Sequence, residues 1–330
     1  MSILSKGPGR RAAPAYYCEA LHGASEYNIC VNSDMTVSCN CQDYDGLGHI
    51  GSLDTHTLEE IFRGATAQRF RKLLARGEFP LPLCQNCAEL RQADRSAADH
   101  YLKNFSLPRR GLMVENTIHC NLRCRYCRRG DAATTRAKTR LSLEDIRKIA
   151  QLLATYRILG LTYHNLGEPF MSDSILEELT IIRRFNPSIQ IWLSTNGLLL
   201  DRGDKREAAL LLNHVIVSLD GSCQDQVVRY QIGGDFARAY GNMADLVRLR
   251  NSRGLREPTI EWKYVVFAWN DDRESVERAC VLAKDAGIDL ISFMPGGAPD
   301  PFASKRYFSD PYFQTLGLPS WRGREVDLRG

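Results

Sequence analysis

The chain has 330 residues, of which 44% are hydrophobic and 25% charged, and a net charge of +4. Those proportions suit a soluble globular protein with one large domain, or one plus a small one. They exclude little by themselves, but the interspersed arginines and acids argue against a nucleic-acid partner, and no apolar run reaches membrane-spanning length. The N-terminus lacks a signal-peptide core, so the expected location is cytoplasmic. Eleven cysteines are unusual there, because a reducing compartment disfavours disulfides; metal or cluster ligation is the better use for them.

The first ninety residues carry six of these cysteines. Tyr27–Cys41 reads as a hairpin turning at Asn32-Ser33-Asp34, with Cys39 and Cys41 emerging from its second strand. Ile50–Asp54 follows, then a helix over Thr57–Arg76, and Pro80-Leu-Pro-Leu-Cys84-Gln-Asn-Cys87 closes the unit with a C-x2-C knuckle. Residues 1–91 form this first unit, 92–109 a polar linker helix, 110–296 the main domain and 297–330 a C-terminal tail.

From residue 110 the pattern alternates between strands and helices. Strands are predicted at 112–116, 161–165, 189–193, 215–219, 259–267 and 290–294. Helices are predicted from the capping box Ser142–Asp145, over Ser172–Phe185, Phe236–Arg253 and Arg273–Ala286. Six strands separated mostly by helices predict an α/β fold with a parallel sheet. An open doubly wound sheet and a partial barrel both satisfy the pattern.

The most specific motif follows the first of these strands. Cys120, Cys124 and Cys127 stand in the spacing C-x3-C-x2-C, with Tyr126 before the third. Three thiolates on one loop can hold three irons of a [4Fe–4S] cube and leave the fourth open to chemistry. Later strands end in Leu166-Gly167-Glu168-Pro169, Ser194-Thr195-Asn196-Gly197 and Ser218-Leu219-Asp220-Gly221. Singly these are ordinary turn sequences. In order behind four strands, where parallel α/β folds bind ligands, they make a pattern.

Over about residues 110–295 the chain resembles the radical S-adenosylmethionine (SAM) enzymes. The resemblance selects a partial (β/α)6 TIM-like barrel. It implies that Cys120, Cys124 and Cys127 hold a [4Fe–4S] cluster whose open iron takes SAM. It further implies that Gly167, Glu168 and Pro169 meet the SAM amino group, that Ser194, Thr195 and Asn196 lie near its ribose and carboxylate, and that Ser218, Asp220 and Tyr126 complete the cofactor site. Leu166 stands where the family has a first glycine, which makes the Gly-Glu-Pro match partial. The N-terminal unit resembles the SPASM or twitch extensions that hold an auxiliary [4Fe–4S] cluster, although those normally follow the barrel. The implied ligands are Cys18, Cys39, Cys84 and Cys87, with Cys41 competing with Cys39 and Cys30 with Cys18; a zinc or a purely structural cluster is the alternative.

Within that family the sequence is similar to radical SAM enzymes of carbohydrate and aminoglycoside pathways. The expected reaction is hydrogen abstraction from a hydroxylated carbon of a sugar, aminocyclitol or aminoglycoside, a step of antibiotic biosynthesis. Cys223, just past Asp220, is the candidate donor that returns hydrogen in an epimerisation; as an idle small residue it would do nothing. Dehydrogenation of the same carbon, modification of a ribosomal peptide and a non-catalytic cluster protein are the alternatives. Glu115, Asn116, Asp220, Arg229, Glu261, Lys263 and Asn270 are candidate contacts of a polar substrate. A flavodoxin- or ferredoxin-type reductant is the implied partner.

Overall fold

The computed structural model describes residues 14–320 and 323–329. Thirteen strands occur in it: β1 Ala15–Cys18, β2 Cys30–Val31, β3 Thr36–Ser38, β4 His49–Ser52, β5 Leu90–Ala93, β6 Leu112–Val114, β7 Gly160–Thr162, β8 Gln190–Thr195, β9 His214–Ser218, β10 Thr259–Val266, β11 Leu290–Pro295, β12 Leu318–Ser320 and β13 Gly323–Asp327. β6 to β11 are the six strands expected from sequence, and they lie side by side in chain order, all parallel.

Alternation along these strands gives the sheet two unlike faces. Ile191, Leu193, Val215, Val217, Ile260, Trp262, Tyr264, Ile291 and Phe293 are buried and face the helices. The opposite face carries Thr162, His164, Trp192, Ser194, Ser218, Lys263 and Ser292. The helix Leu143–Tyr156 shows how a covering layer is specified. Ser142 and Asp145 close a capping box at its start, a device worth about 1 kcal/mol, and Ile146, Ile149, Ala150 and Leu153 point inward. Each such aliphatic side chain contributes roughly 1.5–3 kcal/mol when fully buried.

Among the described residues the sheet stays open rather than closing into a barrel, and both of its edges are extended. At one edge β2 pairs in parallel with β6, Cys30 opposite Met113 and Val31 opposite Val114, and β3 and β4 follow antiparallel. At the other, β13 pairs antiparallel with β11 and β12 folds onto β13. The C-terminal segment expected as a tail therefore supplies a hairpin that covers the edge of the core sheet.

The N-terminal unit is continuous with the core. One apolar cluster runs from Ile29, Val31 and Val37 through Leu112 and Val114 to Ile191 and Val215. β5 spans residue 91, the boundary drawn from sequence, and pairs with β1 in a small second sheet. The helix expected over Thr57–Arg76 is two helices, Leu58–Arg63 and Ala65–Ala75, broken where Gly64 is extended (ψ 163°). The linker helix is Arg95–Lys103, started by Asp94. The beginning of the first unit, residues 1–13, lies outside the described residues.

Candidate active site

β6 ends at Val114, and the next fourteen residues form the cysteine loop. It is tied down on several sides by backbone. Ile118 N–H donates to Thr139 O at 3.0 Å, Arg123 N–H to Ile232 O at 3.1 Å, and Arg125 N–H to Tyr230 O at 2.9 Å. Cys120 and Cys124 are half-buried and Cys127 is exposed. Burial pushes the Cys124 thiol up to about 12, and the neighbouring Asp220, Cys127 and Cys120 add to the effect. Thiols that interact electrostatically and resist ionisation without a counter-charge suit a site where iron supplies that charge. This donor set fits three corners of a [4Fe–4S] cluster.

The Gly-Glu-Pro turn packs against the foot of this loop. Glu168 N–H donates to His119 O at 2.7 Å. A Cβ on residue 167 would lie 1.9 Å from Thr117 O, so only glycine allows the approach. The Glu168 carboxylate does not face outward. It is 2% exposed and accepts from Thr195 Oγ1 at 2.7 Å, Asn196 N–H at 2.7 Å and Phe170 N–H at 3.2 Å. Burial raises its pKa, and the hydrogen bonds and the Lys205 charge oppose that rise. Asn196 in turn donates to Asn121 Oδ1 at 2.8 Å and stands 4.0 Å from Cys120 Sγ. Two motifs far apart in sequence are thus locked together beside the first cysteine. Three of the roughly four acceptor sites of the Glu168 carboxylate are taken up by Thr195, Asn196 and Phe170. Pro169 opens a short turn whose carbonyl takes a hydrogen bond from Asn116 at 3.2 Å.

Asp220 sits at the end of β9, buried, with Oδ1 accepting from Val265 N–H at 3.0 Å. Burial pushes its carboxyl up to about 6, against the lowering effect of Lys263 and of that N–H. Ser218 and Ser194 touch through their hydroxyls at 3.1 Å. Tyr126 packs beside Tyr230 and Phe302, with its hydroxyl buried and unpartnered among the described residues. Cys223 stands at the N-cap position of the helix Gln224–Tyr230, its side chain making no capping hydrogen bond.

A cavity of about 470 Å³ opens on the polar face of the sheet, within the usual range for a small-molecule site. Ser194, His164 and Lys263 line its inner part; Arg110, Glu26 and Tyr27 line its rim. His164 Nδ1 accepts from Ser194 N–H at 3.0 Å, and burial, with Lys263 adding to it, pushes the imidazole down to about 3, so it is neutral. Tyr27 lies within electrostatic reach of Cys41 and Cys87. Ser194 is the strand-end motif residue that lines the cavity, and Tyr27 is its lining residue within electrostatic reach of the N-terminal cysteines. Cys223 is not among its lining residues.

Of the substrate contacts expected from sequence, only Lys263 lines this cavity. Glu115 is buried against Arg136 at 3.1 Å, and Asn116 holds Glu178. Glu261 meets His214 at 2.8 Å and Ser292, and Asn270 binds backbone at residues 220, 265 and 267. Arg229 is exposed on a helix and gives its carbonyl to Arg125. The four buried groups, Glu115, Asn116, Glu261 and Asn270, serve the framework, because burial without a partner is costly. His164 and Trp192 were missed in the sequence, although period-two alternation puts them on the face of Lys263.

In the N-terminal unit, Cys18, Cys39, Cys84 and Cys87 line one small cavity with Phe70, Leu74 and Leu83. Among the described residues no group of three His, Cys, Asp or Glu side chains is placed to hold a metal ion; the four cysteines line a cavity of about 20 Å³. Asn40 donates to Cys87 Sγ at 3.2 Å. Cys41 is turned away, its thiol donating to Asn28 Oδ1 at 3.3 Å, and Cys30 is fully buried near Asn165. Cys280, on the helix Arg273–Asp285, packs against the main core.

No helix of the described residues is long and apolar enough to cross a membrane. Among curated relatives, a GTP 3',8-cyclase of Alkaliphilus oremlandii (strain OhILAs) is 28% identical over 207 residues, 60% of this chain and 61% of that protein. A GTP 3',8-cyclase of Chlorobaculum tepidum is 36% identical over 105 residues, 32% of this chain and 31% of that protein. The chain thus spans about three fifths of the first of these relatives and less than a third of the second. A solved structure of native anSMEcpe with bound AdoMet overlaps 55% of this chain and 50% of its own, with 17% identity and a TM-score of 0.42. That overlap is too slight to bear on function.

These relatives overturn the expected reaction. They are named GTP cyclases, so the epimerisation of a sugar or aminocyclitol with Cys223 as donor does not stand, and neither do its dehydrogenation, peptide-modification and non-catalytic alternatives. The family model described as "Radical SAM superfamily" matches residues 115–302, more than half of the sequence and the whole arc from the cysteine loop to the last core strand, and this chain belongs to that superfamily.

Proposed function

We propose that this chain is a radical SAM enzyme acting on a small molecule held in the cavity between the strand-end motifs and the N-terminal cysteines. The observation that carries the reading is that Ser194, His164, Lys263 and Tyr27 line one cavity, with Asn196, two residues beyond Ser194, 4.0 Å from Cys120 Sγ. When bound, the cluster and SAM would supply one-electron chemistry able to take a hydrogen atom from a substrate carbon, with the electron coming from a reductant of the flavodoxin or ferredoxin kind.

The chain's own residues hold, orient and shield. Cys120, Cys124 and Cys127 would hold the cluster. Gly167 permits close packing under the loop, and Glu168 fixes Thr195 and Asn196, which orients the edge that SAM would meet. The apolar walls Met113, Trp192, Ile216 and Met294 keep water from the reacting centre. Cys18, Cys39, Cys84 and Cys87 would hold a second cluster beyond the far end of the cavity.

Anaerobic reconstitution with iron and sulfide tests this reading. About eight irons per chain are expected, two cubes of about four, and dithionite with SAM should yield 5′-deoxyadenosine. Cys120→Ser should abolish that product. GTP, the compound named for the relatives, is the first substrate to add. Failure of the reduced, iron-loaded chain to make 5′-deoxyadenosine with or without GTP would rule the reading out.

A further inference from the structure

The charges around the cavity are few and specifically placed. At the rim, Arg110 donates to Glu26 at 2.5 Å, and both side chains are more than half exposed, so their charges cancel in water. His164, deeper inside, is neutral and already accepts from Ser194. Lys263 is different. It is half-buried on the inner wall, and among the described residues no hydrogen bond or ion pair engages its ammonium. Asp220, the carboxylate that it influences, is turned to Val265 N–H. Its β10 position lies in register with Ser218 of β9, whose hydroxyl meets Ser194 just before Thr195-Asn196. Met113, Trp192, Ile216 and Met294 line the same cavity.

We propose that the substrate carries a single anionic group that docks on Lys263, with an apolar or aromatic body against Trp192, Ile216 and the two methionines. The proposal rests on the reading of this cavity as the substrate site, and it narrows that reading. One cation that no hydrogen bond or ion pair engages among the described residues matches one anionic group. A triphosphate brings several more negative charges into a chamber whose other walls are apolar or neutral, and buried charges without partners are strongly disfavoured. The chemistry assigned to this site therefore departs from that of GTP.

The test uses the anaerobically reconstituted full chain with SAM, in wild-type, Lys263→Met and Lys263→Arg forms, with equilibrium dialysis of three probes: indole, indole-3-acetate and GTP. Indole-3-acetate should bind at least about tenfold more tightly than indole. That margin should vanish in Lys263→Met and largely return in Lys263→Arg. GTP should bind wild type and Lys263→Met alike. Equal binding of indole and indole-3-acetate, the absence of binding by either included, overturns the proposal. So does GTP binding that falls about tenfold or more in Lys263→Met. Circular dichroism checks that each variant is folded. Formation of 5′-deoxyadenosine by the unmodified chain in the same preparation tests the radical reading separately, so that either can fail without the other.

Discussion

Removing the Glu168 carboxylate should loosen the site from inside. Its two oxygens accept three hydrogen bonds, from Thr195 Oγ1, Asn196 N–H and Phe170 N–H, at a position 2% exposed. Hydrogen bonds to a charged acceptor contribute about 1.5–3 kcal/mol each, and an orphaned buried donor costs about 1–3 kcal/mol. The sum is not additive, and raising the pKa of a buried carboxylate offsets part of it, so Glu168→Ala should lose about 3 kcal/mol of stability. Glu168→Gln keeps one acceptor and turns an amide group towards the remaining donors; it should lose about 2 kcal/mol. Urea denaturation of the apo chain followed by circular dichroism measures this as a fall in midpoint with unchanged slope. A loss under about 0.5 kcal/mol for both variants would show that Glu168 does not tie the motifs together in solution, and its role as a positioning residue would go with it.

Gly167→Ala should be at least as damaging, by about 2 kcal/mol or more, because the new methyl would stand 1.9 Å from Thr117 O, a backbone atom that cannot step aside; thermal unfolding reads this directly. Cys84→Ser or Cys87→Ser should remove about four irons per chain on reconstitution while leaving about four in place, whereas Cys41→Ser should leave the count unchanged, since its thiol is hydrogen-bonded to Asn28 off the cavity. His164 titrates near 6.5 when unfolded and about 3 when folded, so the unfolded chain binds the extra proton between those values. Its contribution is fully present above about pH 6.5 and falls away as the pH drops towards 3, by a few kcal/mol in total. Denaturant midpoints from pH 7 to 4.5 should therefore decline less steeply in His164→Gln than in wild type.

The core strands were legible because runs such as Val215-Ile-Val-Ser and Ile189-Gln-Ile-Trp are short, β-branched or aromatic, and set between amphipathic helices. The strand-end motifs were legible because each follows such a run. The edges were not. β2 is two residues long and reaches a parallel partner more than eighty positions away, and a sequence window holds no trace of that pairing. β13, Gly-Arg-Glu-Val-Asp, has one β-branched residue among charges, and only the open edge of β11 makes it a strand. The polar candidates failed for a related reason. Glu115, Asn116, Glu261 and Asn270 have the residue types of a binding site, but type does not tell whether a partner is a substrate or the protein's own backbone. Of the N-terminal cysteines, the four named through the resemblance line one cavity, while Cys41, which the sequence left in competition with Cys39, is hydrogen-bonded to Asn28.

The central claim is that Cys120, Cys124 and Cys127 hold a cluster with an iron open to SAM. Electron paramagnetic resonance of the dithionite-reduced Cys84→Ala/Cys87→Ala chain, with the second site removed, tests it most directly. The account expects one reduced-cluster signal whose g-values shift when SAM is added, and no such signal once Cys124→Ala is also introduced. A spectrum unchanged by SAM would contradict it.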